Sequence, residues 1–128
     1  MALIVQKYGG SSVGNIDRIQ HVADKIIKTK QQGHDVVVIL SAMQGETDRL
    51  IRLAHALTHH PDPREFDMLI STGEQVSMSL LSIALNNSHY PARAFTGAQI
   101  GIHTDNIHSK ARILDVKTEV IQRELKET

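Results

Sequence analysis

The chain has 128 residues, a length that suits one domain with a single core. Its 14 basic and 14 acidic residues balance, and tryptophan is absent beside two tyrosines and two phenylalanines, so nothing favours nucleic acid or an anionic membrane as a partner. The lack of cysteine excludes disulfides, thiolate chemistry and cysteine-ligated zinc.

The N-terminal segment "MALIVQKYGG" contains an apolar run that is too short for a signal peptide, and no basic residues precede it. No stretch is expected to be long enough to span a bilayer. The sequence therefore predicts a soluble cytoplasmic protein that has neither a membrane nor a nucleic acid as its partner.

The first part of the chain predicts a strand–helix–strand unit. Residues 2–6 and Asp35–Ser41 are short apolar runs rich in β-branched residues, which is typical of strands buried in a parallel sheet. Between them, the apolar residues of Asn15–Gln32 recur on one helical face, with Asn15 suited to the N-cap and Gly33 placed to end the helix. The crossover of such a unit is expected to be right-handed.

The rest of the chain continues the alternation of helices and strands. A second helix is predicted over Glu46–His59, and a third should begin at Asp62, where Pro63 and Glu65 complete a typical helix start, and reach Ile70. The remaining predicted elements are an interruption at "STGEQ", a buried helix over Val76–Asn87, a strand in "YPARAFTG", a small hairpin in "AQIGIHTD", a strand over Ala111–Val116 and a polar helix over Lys117–Lys126. This order predicts an α/β sandwich.

Three polar segments follow strand-like or buried segments, where ligands bind in open α/β sheets: Lys7–Gly14, Ser41–Arg49 and Ser71–Gln75. The first has glycines at the spacing of a P-loop, but Asn15-Ile16 stands where that motif requires lysine and a hydroxyl residue, so a P-loop is excluded. A lysine at the strand end and successive glycine amides are still suited to phosphate binding. An ordinary strand–turn–helix connection is the alternative.

The second and third segments each have a structural and a functional interpretation. Ser41, Thr47 and Arg49 offer hydroxyls and a cation to a ligand, although Thr47 is equally suited to open the next helix. Ser71–Glu74 fits a capping box, in which the Glu74 carboxylate bonds back to the first amide. The same carboxylate is suited to hold a substrate ammonium.

The histidines offer a further candidate site. His55 and His59 lie four residues apart on one predicted helix, with His60 next to them, but Ala56 replaces the glutamate of a His-Glu-x-x-His zinc motif. We therefore expect a solvated helix end there and no metal site.

In combination, these segments resemble one known family. "KYGGSSVG" is similar to the Lys-Phe-Gly-Gly-Thr-Ser-Val signature of aspartate kinases, with Tyr8 and Ser11 as conservative changes. "VVVILSAMQGETDRL", "LISTGEQVS" and "FTGAQIGIHTD" resemble the next three blocks, in the same order, so that the resemblance spans nearly the whole chain. Aspartate kinases are amino acid kinases, which have a three-layer αβα sandwich (carbamate kinase-like fold) and transfer the ATP γ-phosphoryl group to a carboxylate or related acceptor.

The resemblance implies a role for each candidate residue. Lys7 would neutralise charge on the transferring phosphoryl group and act as the catalytic residue. Nucleotide binding is implied for Lys7, Tyr8, Gly9, Gly10, Ser11, Ser12 and Ser41. Aspartate binding is implied for Ser41, Gly45, Thr47, Arg49 and Glu74. ATP would enter with Mg²⁺ held mainly by its phosphates, and the product would be 4-phospho-L-aspartate, the first intermediate of lysine, threonine and methionine biosynthesis.

Members of the family continue beyond the point where this sequence stops, so residues 1–128 are expected to be the N-terminal part of a kinase domain. The nucleotide-base-binding half and the regulatory ACT domains would be absent, and this part alone is expected to be inactive. We expect a homo-oligomer or association with the missing part. The alternatives are another amino acid kinase, such as a glutamate 5-kinase, and a non-catalytic fragment that only binds a partner.

Overall fold

The fold is described here from a computed structural model, over residues 2–107 and 112–127. Its helices and strands, in chain order, are β1 (Leu3–Tyr8), a 3₁₀ turn (Gly10–Val13), α1 (Ile16–Gln31), β2 (Asp35–Leu40), α2 (Glu46–Leu57), α3 (Pro63–Asn87), β3 (Ile102–Thr104), β4 (Ile113–Val116) and α4 (Glu119–Glu127).

The predicted strand–helix–strand unit is confirmed. β1 and β2 pair in parallel, from Leu3 opposite Asp35 to Tyr8 opposite Leu40. β1 runs two residues further than predicted because this pairing continues to Tyr8. α1 begins after Asn15, whose side chain accepts a hydrogen bond from the Arg18 amide at 2.9 Å, and the chain leaves the helix through Gly33 at a φ of +89°.

The core lies on one face of this sheet. Seven buried residues form it, contributed by the 3₁₀ turn, α1 and α3: Val13, Ile19, Val22, Ala23, Ile26, Leu81 and Leu85. Val36, Val38 and Leu40 of β2 pack against it from the sheet. On the opposite face, Leu3, Val5 and Ile39 are 52–58% exposed. The described residues therefore cover one face of the sheet with helices and leave the other open.

α3 is one continuous helix of 25 residues, so the predicted interruption at "STGEQ" and the capping box at Ser71–Glu74 are both wrong. The Ser71 and Thr72 hydroxyls donate to carbonyls of their own helix, those of Met68 and Leu69, at 2.9 and 2.7 Å. Such bonds let hydroxyl residues remain inside a helix. The predicted start is confirmed at Pro63, although the Asp62 side chain forms no capping hydrogen bond within the described structure.

By length and composition, α3 is also a candidate membrane span, so the expectation that no stretch is long enough is wrong. The apolar residues of this helix have another use, because Leu81 and Leu85 are buried in the core against α1. Core helices of soluble proteins can have the same length and apolar composition as a membrane span.

The segment after α3 forms no strand where one was predicted in "YPARAFTG". The Asn86 side chain instead bonds both the amide and the carbonyl of Ala92, at 2.8 and 3.1 Å, and this holds the segment against the end of α3. Because a side chain satisfies these backbone groups, the segment needs no strand partner at that point.

The C-terminal part contains a small antiparallel sheet rather than a hairpin confined to "AQIGIHTD". β3 pairs with β4, and the Lys117 amide bonds the Gly101 carbonyl at 2.8 Å. β4 begins at Ile113, inside the predicted strand, whose first residue lies outside the described residues. α4 confirms the predicted last helix, and a 2.8 Å ion pair between Arg93 and Glu124 ties it to the segment after α3.

The cap of α1 gives a first prediction. Asn15→Ala should lower the free energy of unfolding by about 1 kcal/mol, because the Arg18 amide loses its acceptor. Asn15→Asp keeps an acceptor at the same place and should retain most of the stability. Urea denaturation measures both. Equal stability of the alanine and aspartate variants would contradict the assigned cap.

Candidate active site

A cleft of about 340 Å³ lies at the carboxyl ends of β1 and β2. Its walls come from the turn after β1, the loop after β2, the first turn of α2 and the middle of α3. The lining residues are Gly10, Ser41, Ala42, Met43, Gln44, Gly45, Thr47, Asp48 and Glu74. The three polar segments therefore meet in space at the sheet edge where ligands bind in open α/β folds.

The turn after β1 packs against the loop after β2. A Cβ at Gly10 would lie 3.3 Å from the Ala42 carbonyl oxygen, so this glycine permits close contact between the two segments. No contact of this kind requires a glycine at position 9. Its φ of −82° and ψ of 176° suit any residue, and a Cβ there would meet no protein atom within 4 Å. Space beside Gly9 is therefore open to a ligand.

The loop after β2 is held at both ends. The Ser41 amide donates to the Tyr8 carbonyl at 3.2 Å, which joins the loop to the end of β1. Gly45 adopts a left-handed conformation, with φ of +82°, just before α2 begins. A side chain at this position would cost about 1–2 kcal/mol, so glycine is needed for the turn that brings the first residues of α2 to the cleft.

Glu74 reaches the cleft from the middle of α3 rather than from a helix end. The residue is exposed to solvent, and its neighbour Gly73 is buried against the loop after β2. A Cβ at Gly73 would lie 3.0 Å from the Ala42 Cβ, so the helix approaches this loop as closely as a glycine allows. The cleft thus has a carboxylate on the wall opposite the loop.

Arg49 forms a bidentate ion pair with Glu46 in the first turn of α2, with contacts of 2.7 and 3.0 Å. The hydrogen bonds and charge of Arg49 lower the pKa of the Glu46 carboxyl below its ordinary value. Arg49 is not among the residues that line the cleft. In this structure its guanidinium is occupied by a carboxylate of its own helix.

A family model described as the amino acid kinase family matches residues 2–128. The chain belongs to the amino acid kinase family. It is 54% identical over 127 residues to an aspartate kinase of Pseudomonas putida and 52% identical over 127 residues to an aspartokinase of Geobacillus stearothermophilus. Each alignment covers 99% of this chain but 31% of the relative, so the chain spans about a third of the length of these proteins.

Solved structures of amino acid kinases have the same fold. A crystal structure of aspartate kinase from Synechocystis matches with a TM-score of 0.74 and 54% identity, over 77% of this chain and 17% of that one. Aspartokinase III of E. coli, in complex with aspartate and ADP, matches with a TM-score of 0.78 over 99% of this chain and 39% of that one. Its 20% identity supports the fold alone. The predicted α/β amino acid kinase fold is confirmed.

The predicted site residues of this amino acid kinase divide into two groups. Those that line the cleft are Gly10, Ser41, Gly45, Thr47 and Glu74. Those that lie outside its lining are Lys7, Tyr8, Gly9, Ser11, Ser12 and Arg49. The structure therefore places all of the candidate aspartate residues except Arg49 in one cleft.

Lys7 and Tyr8 leave β1 on opposite faces of the sheet. Tyr8 packs against the core, its hydroxyl donates to Gln6 Oε1 at 2.9 Å, and burial raises the pKa of its phenol. Lys7 stands beside Ile39 on the open face and is exposed. Any nucleotide contact of Tyr8 in this arrangement would use its backbone, whereas the Lys7 side chain is exposed to solvent at the end of the strand.

Gln44 and Asp48 also line the cleft, although the sequence patterns singled out neither of them. Both lie inside the second polar segment, in which Ser41, Gly45, Thr47 and Arg49 are the predicted site residues. The position of Asp48, next to Thr47 at the start of a helix, was the feature of the sequence that could have indicated it as a site residue.

His55 packs edge-on against Phe66, with ring centroids 6.1 Å apart, and no metal-binding cluster occurs among residues 2–107 and 112–127.

The Glu46–Arg49 pair gives a second prediction. In an NMR titration of side-chain carboxyls, Glu46 should titrate below the ordinary glutamate range, and Arg49→Gln should raise its pKa. Because the folded-state pKa is lowered, the pair stabilises the fold above the unfolded-state pKa and ceases to do so as the pH falls through the folded-state pKa.

The stability difference between wild type and Arg49→Gln should therefore disappear in acid. Arg52→Gln, three residues beyond Arg49 on the same helix, is the matched control and should leave the Glu46 titration unchanged. An identical Glu46 pKa in wild type and Arg49→Gln would show that the pair does not form in solution.

Proposed function

We propose that the full-length protein is an aspartate kinase, which transfers the γ-phosphoryl group of ATP to the side-chain carboxylate of L-aspartate and releases 4-phospho-L-aspartate and ADP. The observation that carries this proposal is the convergence of Gly10, Ser41, Thr47 and Glu74 in one cleft, although they come from three separate segments of the sequence. The identity of 52–54% to proteins named aspartate kinase, over nearly the whole chain, supports the substrate.

The phosphate groups of ATP would lie at the turn after β1. The first amides of a helical turn have no acceptor within it, so those of Gly10 and Ser11 are suited to phosphate oxygens. Gly9 supports this placement, because neither its backbone conformation nor protein packing requires a glycine there. Close approach of a ligand is the remaining reason for the missing side chain. Ser12 lies in the same turn, and the Tyr8 backbone precedes it.

Aspartate would lie between the loop after β2 and α3. The Glu74 carboxylate would bind the substrate ammonium, while Thr47 and the first turn of α2 would offer a hydroxyl and amide donors to a substrate carboxylate, which their positions in the lining of the cleft support. The left-handed backbone of Gly45 brings this turn to the cleft. Arg49 can take part only if its guanidinium exchanges Glu46 for a substrate carboxylate, since both of its contacts are now made to Glu46.

The reaction needs no protein nucleophile. An oxygen of the ionised aspartate carboxylate forms the new bond to the γ-phosphorus, and the bond from that phosphorus to the bridging oxygen of ADP breaks. The protein contributes positioning and charge stabilisation, in which Lys7 neutralises charge that develops on the transferring group. Mg²⁺ enters as part of the ATP substrate and is held mainly by phosphates.

The open face of the sheet supports association with further protein. Leu3, Val5 and Ile39 are more than half exposed there, and the matched relatives are about three times as long as this chain. We propose that the remainder of a kinase domain, or a second subunit, covers this face and supplies the adenine and ribose contacts. The full-length enzyme would act in the cytoplasm, at the start of lysine, threonine and methionine biosynthesis.

The role of Lys7 gives the next prediction. In the full-length protein, Lys7→Ala should lower kcat by about 100-fold or more and change the KM for aspartate much less, because the cation acts mainly in the transition state. Hydroxylamine traps the acyl phosphate as a hydroxamate, which measures the rate with ATP, Mg²⁺ and aspartate. Lys28→Ala, an exposed lysine on α1, is the control and should keep wild-type kinetics.

An unchanged kcat with a raised KM for aspartate would contradict this role of Lys7. A wild-type protein that forms hydroxamate from glutamate and not from aspartate would identify a different amino acid kinase. A wild-type protein that forms neither, while it associates with another chain, would favour the non-catalytic alternative.

Glu74 should show the opposite pattern. Glu74→Gln removes the charge from the carboxylate but keeps its size, so aspartate binding should weaken by about 1.5–3 kcal/mol, the value of a charge-assisted hydrogen bond. Stability should change little, since the side chain is exposed in the middle of α3. Calorimetric titration with aspartate measures the change, and Glu65→Gln in the first turn of α3 is the control. Equal affinity of both variants would exclude Glu74 from the binding site.

A further inference from the structure

Ser77 is the one polar residue in the described part of the chain that is buried, with 0% of its surface exposed. It lies on α3, one turn beyond Glu74. Its hydroxyl is 2.7 Å from the Ser41 carbonyl oxygen and 3.1 Å from the Glu74 carbonyl oxygen. A hydroxyl has one proton, and helical serines ordinarily donate it within their own helix. The shorter contact here is to another segment, so Ser77 links α3 to the loop after β2.

Ser41 is thereby held from two sides. Its amide donates to the Tyr8 carbonyl at 3.2 Å, and its carbonyl accepts from Ser77. The end of β1, the loop after β2 and α3 are therefore joined by two hydrogen bonds through a single residue. Because the turn after β1 is the proposed phosphate site and α3 carries Glu74, this link runs between the two halves of the cleft.

Packing beside this link leaves little freedom. Gly73 lies one turn before Ser77, and a Cβ there would be 3.0 Å from the Ala42 Cβ and 3.5 Å from the Leu50 Cδ1. Ala42 is itself buried. A side chain at position 73 would push the helix away from the loop, so glycine permits this close approach, and the Ser77 hydrogen bond opposes separation. The short separation between Glu74 and the loop thus depends on both residues.

We propose that Ser77 is a positioning residue, which sets the place of the Glu74 carboxylate relative to Ser41 and the phosphate loop. The inference rests on the proposed function for its consequence in catalysis, and on the hydrogen bonds above for its structural content. A positioning role follows because a displacement of about 1 Å at a reacting centre can cost about 100-fold in rate.

The test replaces the hydroxyl in two ways. Ser77→Ala removes the donor and leaves a small space, while Ser77→Cys fills that space with a sulfur slightly larger than the hydroxyl and a much weaker donor. In the full-length protein, each variant should lower kcat/KM for aspartate by about 10- to 100-fold per folded molecule. Ser79→Ala, an exposed serine on the same helix, is the matched control and should keep wild-type values.

Amide hydrogen exchange gives a second measurement that needs no substrate. Exchange at the Ser41 and Glu46 amides, which donate to the Tyr8 and Met43 carbonyls, should be faster in both Ser77 variants than in wild type or Ser79→Ala, because Ser41 loses one of its two hydrogen bonds. If Ser77→Ala fails to fold, the Ser77→Cys protein carries both measurements, since this substitution leaves no cavity.

The inference is overturned if Ser77→Cys has wild-type kcat/KM and wild-type exchange. It is also overturned if a Ser77 variant lowers only the melting temperature, since a structural role alone would leave the kinetic constants of the folded molecules unchanged. A wild-type protein that does not phosphorylate aspartate would refute the proposed function instead, and exchange of the Ser41 and Glu46 amides would then test the structural role of Ser77 alone.

Discussion

The parallel pairing of β1 with β2 is the constraint on which the site depends. The pairing runs to Tyr8 and Leu40, the last residues of the two strands. The segments that follow the strands therefore leave the sheet side by side at one edge. The Ser41 amide extends the ladder by a further bond to the Tyr8 carbonyl. The turn after β1 and the loop after β2 therefore begin at a shared point, and their contact through Gly10 follows from it.

α1 makes that pairing possible, and α3 turns the edge into a cleft. A parallel pair needs a long crossover, which α1 supplies on the face where Val36, Val38 and Leu40 lie. α3 packs on the same core through Leu81 and Leu85, which directs its preceding turns past the strand ends. Small residues allow this approach, since Gly73 and Ala42 meet where larger side chains would separate the helix from the loop.

The parts of the fold that sequence patterns predicted are those governed by local chemistry. The cap at Asn15, the helix end at Gly33 and the apolar face of α1 each depend on residues close in the sequence, and each was predicted correctly. The errors arose where tertiary contacts decide. Ser71 is suited both to the first position of a capping box and to the interior of a helix. Which of the two forms depends on whether α3 continues past Ser71 and packs on the core. Likewise, Asn86 replaces a strand partner for Ala92, which no periodicity reveals.

The glycines of the site illustrate why composition alone could not assign it. Gly45 is required by its backbone, at a φ of +82°, and Gly73 by its neighbour, 3.0 Å from where its Cβ would lie. Gly9 meets neither requirement. A sequence presents these as equivalent turn residues, whereas the structure explains two of them by the fold itself. The fold does not explain the glycine at position 9. This residue lies at the end of β1, where the proposed reaction would place the phosphates of the nucleotide.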